Sequence, residues 1–497
     1  EHLREKGKLV GEQVYKHSYP HCWRSKTPIV FRAVEQFFIR VNDIRSEALE
    51  EIDKVEWVPH WGRNRIYGTV EVRPDWCISR QRSWGVPLPV FYGESGKVIL
   101  DGELARRVAD LVEQRGTNLW FEQDDAWWAK ELGLPEGTTR RNDTLDVWID
   151  SGVSHEAVLN RRSELRYPAD VYLEATDQHR GWFQSSLMTS VALRGEAPYR
   201  TVITHGFVVD KDTRKKVSKS AQGSYVKPMN ADYYVEKYGA DVVRLWAASV
   251  DFTHEVPFSE ESFALLTDAY RQFRNVLRIL LANLHDLPPE TQSLAGATMV
   301  DRWILSRLQG VIELCREAYA GYDFRKVFQV LNQFCTVDLS SLYVDITKDR
   351  LYCDAANSGR RRATQEVMRR IFDAVSRLLA PVLVYTADEA WEFAGKQGSI
   401  HEECFPEVDK SLRDLALEKR FEEWLQLRAV VAHAVEPARQ QKLIGNALEA
   451  DVTLEISDAD LLGSLEGVHA ELEEVLILSQ IRVRGGATTV ATLTKNE

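Results

Sequence analysis

The sequence predicts an α/β domain built on a parallel sheet, followed by a bundle of α-helices. Residues 170–174 have an apolar strand pattern, a helical pattern follows to about Arg194, and residues 201–204 are a second, β-branched strand pattern. A strand, a helix and a strand in this order form a right-handed crossover unit, which implies a parallel sheet. From about Ser262 onward, apolar residues instead recur at the three- and four-residue spacing of amphipathic helices.

Length, composition and charge limit the class of protein. A chain of 497 residues predicts roughly three domains, and its 44% hydrophobic and 28% charged residues are typical of a soluble globular protein. No apolar run approaches the roughly 20 residues of a membrane span. Six scattered cysteines without a Cys-x-x-Cys pair favour a reducing cytoplasm. The net charge of −12 argues against nonspecific nucleic-acid binding by the whole surface, but it leaves room for a local basic patch.

Residues 1–70 lack a complete domain pattern. The missing initiator methionine and the lack of a signal peptide suggest that the chain begins inside a longer protein. His17, His21 and Cys22 are possible metal ligands, but they lie too close together and no second pair follows, so no metal site is predicted. Residues 28–38 and 55–61 have strand-like apolar patterns.

Residues 73–87 combine three arginines, two tryptophans and a Gly-x-Pro turn. Buried tryptophans and surface arginines would explain this composition. They would not explain why so many planar hydrogen-bond donors stand just before the strand predicted at residues 88–91. Residues 94–142 are charged and irregular, and we expect their tryptophans, Trp120, Trp127 and Trp128, to pack a small insertion.

Two polar turns follow predicted strands. Residues 144–152 predict a strand that runs into a turn, and residues 170–183 predict a strand, a polar turn and the start of a helix. Glu174 ends the second strand, where open α/β sheets bind ligands, and its carboxylate could hold an ammonium group. The structural alternative is a helix N-cap or an ion pair with Arg180.

Residues 199–227 combine a β-branched strand, which ends at His205 and Gly206, with a loop that carries Lys215-Lys216-Val217-Ser218-Lys219-Ser220. A glycine at the end of a strand lets the backbone approach a ligand closely. Lysine ammonium groups and serine hydroxyls on such a loop suit a polyphosphate. Composition alone leaves a solvated basic turn equally open.

The remainder of the chain is predicted to be helical. A helix is expected over residues 230–249. The helix after residue 262 carries Arg271, Arg274 and Arg278 on one face. That face is either exposed to solvent or a track that binds the phosphates of a nucleic-acid backbone. Residues 287–298 read as a linker, and an antiparallel bundle begins at Asp301. A smaller α/β tail starts at about residue 439. Positive charge is concentrated along the bundle at Lys348, Arg350, Arg360, Arg361, Arg362, Arg369 and Arg370.

Residues 75–85, 145–152, 172–183 and 205–220 resemble, in sequence and order, the motifs of the isoleucyl-tRNA synthetase family of class I aminoacyl-tRNA synthetases. Val217 stands where methionine is usual. The resemblance runs from about Leu9 to about Ile481. A valine-specific relative is the narrower alternative, against which residues 83–86 and 146–152 argue.

The resemblance implies a domain order. Residues 1–70 would end an editing insert, and residues 71–230 would form the second half of a Rossmann-like nucleotide-binding catalytic domain, with a small insertion at 94–142. A helical connecting region (231–288), a helical anticodon-binding domain (289–450) and a partial α/β tail (451–497) would follow. The family's first catalytic motif, His-x-Gly-His, has no counterpart in this sequence, and most of the editing insert and the four-cysteine zinc module of many members are also absent. We therefore expect the carboxyl-terminal portion of a synthetase.

The resemblance also implies a reaction. Isoleucine and ATP with Mg would give isoleucyl-adenylate and pyrophosphate, and the acyl group would pass to the terminal adenosine of isoleucine tRNA. We expect a cytoplasmic monomer that contacts no membrane and holds no metal site of its own. The alternative is a tRNA-binding module without catalysis, because half of the ATP site is missing from this sequence.

Each implied role falls on particular residues. The lysines Lys216 and Lys219 would be catalytic through the polyphosphate, Ser218 and Ser220 would add hydroxyl donors, and His205 and Gly206 would border the adenine. The aminoacyl-adenylate would be bound by Glu174, Asp177, Gln178, Trp148 and Trp182. The tRNA would be contacted by Arg360, Arg361, Arg362, Arg369 and Arg370.

Overall fold

The computed structural model describes residues 1–495 except 23, 24, 83, 213, 215, 217–229 and 446. The chain divides into two compact units, Glu1–Ile203 and Thr204–Glu497. The domain predicted over residues 71–230 crosses this division, so its boundaries stay a prediction. None of the helices in the described part of the chain has the length and apolarity that crossing a bilayer requires.

The first unit contains a three-stranded sheet in the order β2 (Glu56–Val58), β10 (Tyr199–His205) and β9 (Ala169–Ala175). Strand β10 runs parallel to β2, with Val202 opposite Trp57. Helix α8 (Trp182–Arg194) connects β9 to β10 and is buried along most of its length, because apolar and small residues occupy nearly every position. The predicted α/β fold with a parallel sheet is confirmed.

The first unit contains helices that the sequence did not predict in three places. Residues 61–71 form a helix after β2, residues 147–152 form a helical turn after a two-residue strand, and the insertion contains three helices. Trp120 and Trp128 are fully buried in the insertion, as expected, and Trp127 packs at the edge of that core. The other elements are α1 (His2–Glu5), β1 (Phe38–Ile39), α2 (Arg45–Ile52), α3 (Trp61–Glu71), β3 (Trp76–Cys77), β4 (Ser79–Arg80), β5 (Phe91–Tyr92), β6 (Val98–Ile99), α4 (Gly102–Arg115), α5 (Leu119–Glu122), α6 (Asp125–Leu132), β7 (Thr139–Arg140), β8 (Thr144–Leu145) and α7 (Val147–Gly152).

The second unit is mostly helical and shares one extended apolar core. Helix α12 (Met299–Ala320) begins at a capping box in which Thr298 and Asp301 satisfy each other's backbone N–H groups. The predicted helix over residues 230–249 is two helices, separated at Gly239. The remaining helices are α9 (Ala231–Tyr238), α10 (Ala240–Ser249), α11 (Glu260–Leu284), α13 (Phe324–Gln333), α14 (Val344–Ile346), α15 (Lys348–Tyr352), α16 (Gly359–Leu379), α17 (Val384–Phe393) and α18 (Leu415–Gln440), with a π-helix over Phe334–Tyr343.

Two small sheets complete the second unit. Strands β11 (Val208–Asp210) and β12 (Val256–Phe258) are parallel. The tail is the α/β element that the sequence predicts: its central strand pairs in parallel with one neighbour and antiparallel with the other. Its elements are β13 (Ala450–Ile456), α19 (Ala459–Ser464), α20 (His469–Leu476), β14 (Gln480–Gly485) and β15 (Val490–Lys495).

Candidate functional site

In the first unit, three of the predicted site residues meet around Gly181, at the start of α8. A Cβ added at Gly181 would lie 2.4 Å from Gln178 Oε1 and 2.9 Å from the Trp148 ring. Gln178 Oε1 also accepts a hydrogen bond from the Trp182 backbone N–H at 2.8 Å, so it caps the helix. Only glycine fits at position 181 between these groups. Trp148, Gln178 and Trp182 therefore lie close together around Gly181.

The Trp182 ring is held rigidly from two sides. It stacks on Tyr172 with the ring centroids 4.0 Å apart and the planes at 8°, and its Nε1 donates to the Ser151 carbonyl at 2.9 Å. Burial raises the pKa of the Tyr172 hydroxyl. Sequence reasoning missed both Tyr172 and Gly181 as part of this site. Both lie inside the 172–183 motif, so position alone could have suggested them.

Asp146 positions the helical turn that carries Trp148. It is 5% exposed, accepts from Trp76 Nε1 at 2.9 Å and from the Arg80 guanidinium at 2.8 Å, and caps α7 through the Trp148 N–H at 3.3 Å. A buried carboxylate needs such partners. This cluster accounts for part of the dense arginine and tryptophan run in residues 73–87.

Glu174 and Asp177 lie on the exposed side of the same motif. Glu174 is the penultimate residue of β9, and its Oε2 accepts a hydrogen bond from the Ala175 N–H at 2.8 Å. Asp177 is exposed in a short 3₁₀ turn, Thr176–Arg180. Exposed carboxylates at the end of a strand can bind an ammonium group.

In the second unit, the space beside Gly206 is filled by backbone. A Cβ added there would lie 1.9 Å from the His254 carbonyl oxygen, and the Gly206 N–H donates to the Phe252 carbonyl at 2.8 Å. The close approach that requires glycine is thus made by the protein's own backbone. The neighbouring His205 places its Nδ1 2.8 Å from the Gly206 carbonyl.

Lys216 is the part of the basic loop that the structure describes. It forms a β-bridge with Val209, is exposed, and holds its ammonium 3.4 Å from the centroid of the Phe207 ring. The other predicted phosphate ligands, Ser218, Lys219 and Ser220, lie outside the described residues.

The five arginines predicted to bind tRNA are each paired with a carboxylate of the second unit. Arg369 and Arg370 both pair with Glu366, whose side chain is 1% exposed. Arg361 is buried against Asp286, which also lies 3.3 Å from Arg362, and Arg360 pairs with Asp354. The Arg361 hydrogen bond holds the pKa of the Asp286 carboxyl well below its usual range. These side chains neutralise carboxylates within the bundle.

Over the described residues, no cluster of three or more His, Cys, Asp and Glu side chains is arranged to hold a metal ion.

Comparisons with known proteins give two family matches. Residues 12–259 match the tRNA synthetases of class I (I, L, M and V), and residues 301–454 match the anticodon-binding domain of tRNA ligase. The isoleucine–tRNA ligase of Methylacidiphilum infernorum is 49% identical over 97% of this chain and 52% of its own length. That of Thermotoga maritima is 44% identical over 97% of this chain and 53% of its own length.

Solved structures share the fold. Mycobacterium tuberculosis methionyl-tRNA synthetase in complex with methionyl-adenylate has a TM-score of 0.55 at 17% identity, covering 80% of this chain and 68% of its own. Agrobacterium radiobacter K84 LeuRS, in a ternary complex with tRNA and LeuAMS, has a TM-score of 0.51 at 17% identity, covering 86% and 53%. The chain belongs to the class I tRNA synthetase family, and it spans about half the length of the isoleucine–tRNA ligases that it matches.

Proposed function

We propose that this chain is the part of an isoleucine–tRNA ligase that binds the aminoacyl-adenylate and the tRNA. The observation that supports this most directly is the cluster of Trp148, Gln178 and Trp182 around Gly181. Its residues belong to the motifs by which the sequence resembles isoleucyl-tRNA synthetases. The proposed partners of the whole protein are isoleucine, ATP with Mg and isoleucine tRNA, in the cytoplasm and as a monomer.

Each proposed role follows from the chemistry of the side chain. Trp148 and Trp182 would form apolar walls around the isoleucine side chain, and Glu174 would hold the amino group. Asp177 and Gln178 would bind the amino acid or the ribose.

A second group of residues would bind ATP. The exposed ammonium of Lys216 fits a polyphosphate, and we assign the same role to Lys219, with Ser218 and Ser220 as hydroxyl donors. His205 and Gly206 would border the adenine. Bound ATP with Mg would supply the adenylyl group that activates the carboxylate, and pyrophosphate would be the leaving group. Positioning and charge neutralisation are what the protein must provide in such a transfer.

An apolar pocket of this kind has limited specificity. It separates isoleucine from valine by about 1–3 kcal/mol, a limit for which isoleucyl-tRNA synthetases are themselves the standard example. We therefore place an editing activity in the whole protein.

A tRNA-binding module without catalysis is the second candidate, and one observation favours it. On β9, Val171 is 38% exposed and Leu173 is 56% exposed, on the face opposite the buried Tyr172. Exposed β-branched and aliphatic residues on a sheet face suit contact with further structure. In that case this chain would need its missing half before it could form the adenylate.

Isoleucine-dependent ATP–pyrophosphate exchange tests both candidates. We expect no useful exchange by this chain alone, and restored exchange when the amino-terminal half of an isoleucine–tRNA ligase is added as a separate chain. In the restored protein, Lys219→Ala should slow exchange by about 10²–10³, the usual effect of losing one transition-state donor, and tRNA affinity should not change.

Three outcomes would contradict the proposal. Valine-dependent exchange exceeding isoleucine-dependent exchange would indicate the valine-specific relative. Wild-type exchange by the Lys219→Ala protein would remove the assignment of that lysine. Robust exchange by the isolated chain would show that its site needs no second half.

A further inference from the structure

A groove between α11 and α17 lies on the surface of the second unit. It has a volume of about 430 Å³. The two helices are joined beside it by a hydrogen bond of 3.0 Å between the Tyr270 and Thr386 hydroxyls. The residues that matter for its chemistry are Arg274, Leu277, Arg278, Leu281, Glu389 and Phe393.

Three arginines follow one another along α11, and two of them, Arg274 and Arg278, line the groove. Arg271, Arg274 and Arg278 are spaced by three and four residues, which places them in a row about 10 Å long. Arg271 lies 3.2 Å from Asp268, and Arg274 lies 3.6 Å from Glu389, with all four side chains more than half exposed. Within the described part of the chain, Arg278 has no carboxylate partner and donates to the Asn275 amide oxygen at 3.2 Å.

These cations are more available to an outside anion than Arg369 and Arg370 on α16. Exposed ion pairs contribute about 0–1 kcal/mol and are easily exchanged for another anion. Arg369 and Arg370, in contrast, share Glu366, whose side chain is 1% exposed, so displacing them would leave a buried carboxylate without a partner. Exchangeable positive charge is therefore found on α11.

The α17 side of the groove carries one exposed aromatic ring, since Phe393 is 79% exposed. Phe393 borders an apolar floor that includes Leu277 and Leu281. A nucleobase can stack on such a ring, whereas a purely ionic partner would gain nothing from it.

We propose that the groove between α11 and α17 is an RNA-binding surface, in which the α11 arginines contact backbone phosphates and an unpaired nucleotide stacks on Phe393. The row of arginines favours a polyanion over a protein helix, which would bury these charges without compensation. This inference rests on the proposed function, since the RNA would be the tRNA substrate.

Binding of isoleucine tRNA by the full chain, measured over a range of KCl concentrations, tests the proposal. Arg274→Gln/Arg278→Gln should weaken binding at least tenfold at low salt. It should also reduce the slope of log K against log[salt] by roughly 1.5–2, because two phosphate contacts no longer release counterions. Lys419→Gln/Arg420→Gln is the matched control. It removes the same charge from exposed positions on α18 and should leave the slope unchanged.

Phe393→Ala separates stacking from charge. Because the ring is exposed, the helical fold should be retained, which the far-UV circular dichroism melt would verify. Binding should weaken about tenfold with an unchanged salt slope.

The possible failures are distinct. If the full chain binds no tRNA even at low salt, both the proposed tRNA-binding function and this surface are wrong. If the chain binds tRNA but the groove variants behave like the control, the surface alone is wrong.

Discussion

At the scale of single residues, Gly181 is the position on which the candidate adenylate site depends most. The Trp148 ring and the Gln178 amide both occupy the space where a side chain would stand. Gln178 is also the cap of α8, so a displaced amide would release the Trp182 N–H. A single methyl group would thus disturb the apolar wall and the start of the helix together.

We predict that Gly181→Ala destabilises the first unit by about 1–3 kcal/mol, as expected for overpacking. In the protein restored with its missing half, it should also raise the KM for isoleucine. Urea unfolding and exchange kinetics would measure these effects. Gly68→Ala is the control, because nothing lies within 4 Å of a Cβ built at Gly68 on α3. Equal effects of the two variants would contradict the packing argument.

At the scale of elements, a buried polar network joins the bundle to the tail. Arg350 on α15 has a side chain that is 1% exposed, and it pairs with the fully buried Asp301 at the start of α12 and with Glu474 on α20. Asp301 also accepts from the Tyr343 hydroxyl at 2.6 Å. One guanidinium therefore holds elements that are more than 120 residues apart in sequence.

We predict that Arg350→Met lowers the unfolding free energy of the second unit by about 3–5 kcal/mol, because Asp301 would keep a buried charge without its partner. Arg360→Met is the matched control: its pair with Asp354 is 47% and 20% exposed and should contribute about 0–1 kcal/mol. Urea transitions followed by circular dichroism would compare them. Replacing Asp301 as well, in Arg350→Met/Asp301→Leu, should recover part of the loss, and no recovery would argue against an unpaired charge as the cause.

At the scale of the whole molecule, protonation sets how stability depends on pH. His155 and His179 are both fully buried in the first unit, and burial lowers the pKa of each imidazole. The folded chain therefore keeps both rings neutral at a pH where the unfolded chain, with histidine pKa values of about 6.5, binds protons. The stability that this difference supports is present above about pH 6.5 and is lost as the pH falls below it.

We predict that the unfolding free energy decreases between pH 6.5 and 5.5, by at most about 1.4 kcal/mol for each of the two histidines. The slope should be smaller in His155→Gln/His179→Gln and unchanged in His60→Gln, which alters an exposed histidine of the same unit. Urea unfolding at several pH values would measure it. A wild-type slope in the double variant would show that other groups carry the pH dependence.

The sequence by itself determined the fold class and the order of the motifs, and it predicted most residues of the candidate site in the first unit. Helical and strand periods are local, so the apolar stripes of α11 and α12 were enough to predict a bundle. Trp148, Gln178 and Trp182 lie in motifs that resemble those of the family, and that resemblance was enough to predict that they share a site. The helical form of residues 147–152 and the helices of the insertion were missed, because short segments have weak periodicity.

The tertiary structure alone decided which charges are available and which glycines are crowded. Asp286 reaches Arg361 across 75 positions of sequence, so the basic run on α16 is neutralised by a residue that no local pattern identifies. Glu366 lies three and four residues before Arg369 and Arg370, and this helical spacing could have indicated from the sequence that the carboxylate pairs with both arginines. Gly206 is glycine because the His254 backbone packs against it. Compensation of charge and close packing depend on residues that meet only after the chain has folded, which is why the carboxylate partners of the α16 arginines could not be read from composition.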